Sequence, residues 1–213
     1  RLATTAWLSR SGTRCPVVVS ATCATMTLAP SESMVGDAWI KTGTVSTVRG
    51  AVAFFGNTHS DVGVAAVRSS LARAFFDSLL VGRTWRLGHA CRKARAAMYA
   101  QYPAYTADYL GFNLLGDPAL DVWTGLPRAI SVTHPPRLGT GSQTVSVEVH
   151  DALAPVESAL VCLSMAGDWL YATGYTDPLG RLALDVNLRT IGPLRIVVTG
   201  HNLYPYDGII PVE

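Results

Sequence analysis

Cys23 follows the β-branched run Pro16-Val17-Val18-Val19-Ser20-Ala21 and sits in the small-residue segment Ser20-Ala21-Thr22-Cys23-Ala24-Thr25-Met26. A thiol where a strand gives way to a loop is well placed for nucleophilic attack. Access is open there, and backbone amides can face a developing oxyanion. The same residue type is equally at home packed in a core. A thiol nucleophile needs a base, most often histidine, and the chain offers His59, His89, His134, His150 and His201. His59 leaves the second apolar run in Gly56-Asn57-Thr58-His59-Ser60-Asp61, so its loop lies beside Cys23 if the two strands are neighbours. Otherwise it is an ordinary polar loop residue. His89 stands two positions from Cys91 in a helical stretch, and that spacing points the pair to different faces, neither dyad nor metal pair. The other three histidines fall in a strand-rich region, where they read as surface positions.

Two strands and a set of helices must position this chemistry. The Val-rich run and Gly50-Ala51-Val52-Ala53-Phe54-Phe55 are bounded by turn residues and predict buried strands. Residues 33–47 can hold a helix between them, with Val35, Ala38, Trp39 and Val45 available to a sheet. From Val64 onward, Val67, Leu71, Phe75 and Leu79 recur at the helical period, with Gly82 as a stop. A further helix is expected over 84–102, ending before Pro103. Strands alternating with helices predict a parallel, covered α/β sheet, whose ligands collect beyond the carboxyl ends of its strands. After Gly125-Leu126-Pro127 the pattern changes. Short strands are expected at 130–133, 144–150, 159–165, 169–173, 182–186, 194–199 and 209–212, separated by turn signals such as Pro135-Pro136 and Asp177-Pro178-Leu179-Gly180. Six or seven such strands predict an immunoglobulin-like sandwich. The expected domains are therefore 1–126 and 127–213.

Composition narrows the classes. The 213 residues are 49% hydrophobic and 15% charged, which fits packed domains and excludes disorder, collagen and coiled coil. A net charge of +2 predicts no electrostatic pull toward nucleic acid or anionic membrane. The cluster Arg83, Arg86, Arg92, Lys93 and Arg95 reads as a solvated helix face. No apolar window reaches the roughly 18 residues of a membrane helix. The four cysteines lack CxxC spacing, so neither a structural zinc site nor a disulfide scaffold is expected, and no cofactor is implied. The chain opens at Arg1 with neither Met nor the pattern of a signal peptide.

The order of these segments resembles the gingipain-type cysteine peptidases, bacterial relatives of caspases, legumains and separases. The resemblance rests on Pro16-Val17-Val18-Val19-Ser20-Ala21-Thr22-Cys23, on Gly50-Ala51-Val52-Ala53-Phe54-Phe55-Gly56-Asn57-Thr58, on Leu114-Leu115-Gly116-Asp117-Pro118-Ala119-Leu120, and on Val198-Thr199-Gly200-His201-Asn202. It implies a caspase-like sheet followed by an Ig-like domain, with Cys23 as catalytic nucleophile. Ala21, Asn57, Thr58, His59 and Asp61 are implied as substrate-binding residues around the S1 pocket. Asp61 at the pocket floor would select Arg or Lys at P1; as a turn aspartate beside Ser60 it would select nothing. Asp117 reads as a turn element.

One departure carries weight. The family's catalytic histidine, followed by glycine, precedes the cysteine strand, and here no histidine precedes Cys23. Residues 1–14 read as a loop or short helix, not as the missing strand. The resemblance therefore implies the C-terminal chain of a proteolytically matured, two-chain enzyme, exported or attached to the cell envelope. Its partner would carry the His-Gly and complete the sheet. Two other readings stay open: a non-catalytic gingipain-like scaffold with an incidental Cys23, and a single-chain thiol enzyme with His59 as base.

Overall fold

The computed structural model describes residues 15–26, 34–44, 46–59, 64–166 and 169–213. The chain divides into two compact units, Arg1–Thr124 and Gly125–Glu213. In the first, the valine run forms β1 (Val17–Val19) and the phenylalanine run forms β2 (Ala53–Asn57). The two pair in parallel, with Val18 opposite Phe54. On the other side of β2 lies β3 (Phe112–Leu115), antiparallel, with Asn57 opposite Phe112. The sheet order is β1-β2-β3, so β1 is an edge strand among the described residues.

The sheet is mixed, and the expectation of a wholly parallel one is corrected. The connections give the reason. One helix, α1 (Val35–Lys41), carries the chain from β1 to β2. Two long helices, α2 (Ala65–Leu80) and α3 (Leu87–Gln101), and the short α4 (Thr106–Gly111) lie between β2 and β3. A single crossover helix delivers the next strand parallel to the last. A pair of helices joined by a short loop returns the chain to the end it left, so the next strand runs back.

Helix α2 buries Val67, Leu71, Phe75 and Leu79, the four positions its period marked. They pack with Ala53, Phe55 and Phe112 of the sheet and with Leu87, Ala90, Ala94 and Met98 of α3. Alternation along β2 sends Phe54 to the opposite face, where it meets α1: a Cβ built on buried Gly36 would stand 3.0 Å from its ring. Helix α1 is shorter than the expected 33–47, Val35, Ala38 and Trp39 are half-buried, and Val45 lies outside the described residues. Past the end of α2 the left-handed residue is Arg83, at φ 46°, not the expected Gly82.

No side chain caps the start of α3. Its first amides are satisfied instead by the Gly-Asp-Pro segment: Leu87 N–H donates to the Leu120 carbonyl at 2.9 Å and Gly88 N–H to that of Pro118 at 2.9 Å. Asp117 holds this turn by accepting from Ala119 N–H at 2.8 Å. Gly116 permits it at φ 135°, where a Cβ would stand 2.7 Å from that of Ala53. The basic positions Arg83, Arg86, Arg92 and Lys93 are exposed, and Arg95 bonds the Tyr109 carbonyl while its guanidinium stacks over that ring.

The second unit contains β4 (Ile130–Thr133), β5 (Gly141–Asp151), β6 (Leu160–Met165), β7 (Leu170–Tyr175), β8 (Arg181–Leu188), β9 (Gly192–Thr199) and β10 (Tyr206–Val212). All its ladders are antiparallel, in two sheets of order β10-β9-β6-β7 and β4-β5-β8. Val145, Val147 and Val149 share one buried face of β5 and meet Val161, Leu163, Leu194, Ile196 and Val198 of the other sheet in one core. Buried Thr176 ties a crossing loop to this core, donating to the Val156 carbonyl and accepting from Ala159 N–H. No helix among the described residues is long and apolar enough to cross a membrane.

Candidate functional site

Pairing β1 with β2 in parallel brings both strands' carboxyl ends to the same edge, and the loops leaving them are laced together. Ser20 N–H donates to the Phe55 carbonyl at 2.8 Å, Ala24 N–H to that of His59 at 2.9 Å, and Met26 N–H to that of Asn57 at 3.1 Å. Gly36 N–H of α1 donates to the Thr25 carbonyl at 2.8 Å, tying the far end of the loop to the helix that follows. Ala24 sits at φ 44°, a left-handed conformation unusual for alanine. The chain thus turns sharply immediately after Cys23. Backbone strain of this kind, on the order of 1 kcal/mol, collects where a side chain must be presented in one direction.

Cys23 is half-buried in this turn. Its sulfur is met by Arg68, in the second turn of α2, whose Nη1 donates to Sγ at 2.6 Å. His59 is exposed, and no hydrogen bond among the described residues joins its ring to Cys23. The ring packs over Gly111, where an added Cβ would lie 2.8 Å from its Cδ2. Asn57 is fully buried, and its Oδ1 accepts from His59 N–H at 2.8 Å, so its side chain shapes the loop from behind. Thr58 is half-buried and bonds the Gly111 carbonyl through both its N–H (3.0 Å) and its Oγ1 (3.1 Å). Ala21 is half-buried two residues before Cys23. Asp61 lies outside the described residues. The buried atoms Thr25 Oγ1 and Asn57 Nδ2 have no hydrogen-bond partner among the described residues.

All four cysteines are free thiols; Cys15, Cys23 and Cys162 are half-buried and Cys91 is buried. Cys91 faces the helical core, where burial pushes its thiol up to about 12 and leaves it inert. His89 is exposed on the same helix, so the two residues do face apart. Sequence reasoning missed Arg68. The period of α2 marks only the inward positions, and residue 68 stands on the helix flank, with no local signal that a sulfur 45 positions earlier would face it.

Gly111 is the keystone of the second loop. Its Cβ position lies 2.5 Å from Asn57 Oδ1 and 2.8 Å from His59 Cδ2, both too close for any side chain. Gly111→Ala is expected to cost about 1–3 kcal/mol by overpacking. It should also free the amides of Thr58 and His59 for hydrogen exchange, with urea denaturation and amide exchange as the two readouts.

A family model described as peptidase family C25 matches residues 3–123. Among solved structures, the chain is similar to the Arg-specific cysteine proteinase gingipain R (RgpB), with TM-score 0.76 and 19% identity over 95% of this chain and 46% of that one. It is also similar to the complex of Porphyromonas gingivalis RgpB pro- and mature domains, with TM-score 0.75 and 18% identity over 96% of this chain and 48% of that one. A third structure, described only as a protease, aligns with TM-score 0.72 at 15% identity over 92% of this chain and 46% of that one. The chain spans a little under half the length of these structures. No curated protein matches it.

Proposed function

The chain belongs to peptidase family C25, and from that premise we propose that it is the Cys23-bearing part of a cysteine endopeptidase. In this reading the first unit is the C-terminal portion of a caspase-like domain, and the second is its Ig-like domain. The observation that carries it is the nucleophile turn: Cys23 stands at the carboxyl end of β1, followed by a left-handed Ala24 and tied to the loop leaving β2. A histidine takes the Cys23 thiol proton, and the sulfur attacks the scissile carbonyl, forming a C–S bond as the carbonyl π-electrons move to oxygen. The tetrahedral intermediate then collapses, the C–N bond breaks, and the same histidine delivers its proton to the departing amine. A water that this histidine deprotonates then attacks the thioester, the C–S bond breaks, and the sulfur leaves as thiolate.

That histidine comes, in this proposal, from a His-Gly in another segment of the same precursor. Three observations support it. No histidine precedes Cys23 in the chain, the His59 ring makes no hydrogen bond to the sulfur among the described residues, and the similar solved chains are about twice as long. The edge position of β1, with Val17, Val18 and Val19 only half-buried, suits a strand added from that segment. Ala21, Thr58 and His59 would line the substrate cleft, with Asn57 supporting it. Asp61 would confer a preference for basic P1 residues, and the protein would act outside the cytoplasm.

The test is an intact-mass inventory of the natively purified protein under denaturing conditions, with terminal sequencing of every chain. The expected result is a companion segment carrying His-Gly that copurifies with these residues. A peptidase active with this chain alone would transfer the base to His59 and overturn the partner mechanism. A lone folded chain without activity would favour the scaffold reading.

A further inference from the structure

We infer that Arg68 is the cationic partner of the Cys23 sulfur, holding its side chain in place before attack and receiving its negative charge when the thioester breaks. The inference rests on the reading of Cys23 as nucleophile and adds a residue to its machinery. Arg68 Nη1 lies 2.6 Å from Sγ, and both side chains are part-buried. The guanidinium is delivered by a rigid element, since its neighbour Val67 and the next inward residue, Leu71, are fully buried against the sheet.

Charge reinforces the geometry. The ion pairs among the described residues occupy Lys41, Arg128, Arg137, Arg181 and Arg195, and none engages Arg68. With no described carboxylate drawing it away, the guanidinium's positive charge is available to the sulfur. A hydrogen bond from a guanidinium to an anion is about twice as strong as one between neutral groups. The Arg68 N–H is thus placed to receive the negative charge that sulfur carries when the C–S bond breaks. During acylation Sγ leaves the guanidinium as the C–S bond forms. During hydrolysis the C–S bond breaks, its electron pair stays on sulfur, and the thiolate returns to Arg68.

The experiment uses alkylation, which needs no peptidase activity. Rates at each cysteine are followed by peptide mass spectrometry of the folded protein at pH 7, with neutral iodoacetamide and anionic iodoacetate in parallel. The expected result is that Cys23 reacts fastest of the four thiols, with an iodoacetate-to-iodoacetamide ratio above that of N-acetylcysteine. Arg68→Gln should lower the iodoacetamide rate at Cys23 about tenfold and bring the ratio down to that of the free thiol. Arg73→Gln, an exposed charge on the same helix, should leave both unchanged. Buried Cys91 serves as the folding monitor, remaining unlabelled while the core is intact.

An unchanged rate and ratio in folded Arg68→Gln would overturn the proposal. A wild-type ratio no higher than that of N-acetylcysteine would overturn it without any variant. Peptide hydrolysis lost in Cys23→Ala but retained at full rate in Arg68→Gln would remove Arg68 and leave the peptidase reading standing. The alkylation pattern in a protein that hydrolyses no peptide would do the reverse.

Discussion

Cys23→Ala is expected to abolish peptide hydrolysis by the natively assembled protein, lowering kcat/KM by at least about a thousandfold, while leaving thermal stability within about 1 kcal/mol. The two halves of this expectation have different origins. Loss of activity follows, in the proposed mechanism, from removing the atom that forms the acyl bond, a loss that positioning and oxyanion stabilisation do not restore. Retention of the fold follows from the setting: Cys23 is half-buried in a loop, outside both hydrophobic clusters. The hydrogen bonds that shape the loop are made by backbone groups of Ser20, Ala24 and Met26, which alanine leaves in place. The check is hydrolysis of a peptide panel varied at P1, beside a melting curve for each protein. Activity surviving in Cys23→Ala would remove the nucleophile assignment.

The largest expected effect on stability belongs to Phe55→Ala, about 3–5 kcal/mol by urea denaturation. Phe55 is fully buried at the centre of β2, its ring 5.9 Å from that of Phe75 on α2 and 5.8 Å from that of Phe112 on β3. Truncation leaves a cavity bounded by a helix and a strand that are themselves fixed by other contacts, so collapse into the space is limited. The Phe55 carbonyl, which accepts from Ser20 N–H at the start of the Cys23 loop, is a backbone group that alanine retains, so a variant that folds should keep this bond. A loss below about 1 kcal/mol would mean that the sheet does not rest on this ring.

What was readable along the chain was what depends on local period. The inward positions of α2 and the alternating valines of β5 each follow from a repeat within one element, because burial imposes that repeat on the sequence. The strands of the second unit were legible for the same reason, helped by turn residues between them. The position of Cys23 past a β-branched run was likewise local information. It shows where a nucleophile can be, not what surrounds it.

The rest required the folded chain. Strand β3 was not foreseen, because its four residues follow a short helix without a break, and its direction depends on how many helices precede it. His59 N–H bonds the buried Asn57 side chain, and the space beside that side chain is left by Gly111, a residue distant in sequence. The Gly-Asp-Pro turn caps a helix that begins almost thirty residues earlier, at Leu87. The sequence by itself determined the elements, the inward faces and the candidate thiol, because hydrophobic burial leaves a periodic imprint that short windows carry. Only the tertiary structure decided what meets that thiol: the Arg68 contact arises where one loop and one helix flank converge, and no periodicity records a meeting between segments 45 residues apart.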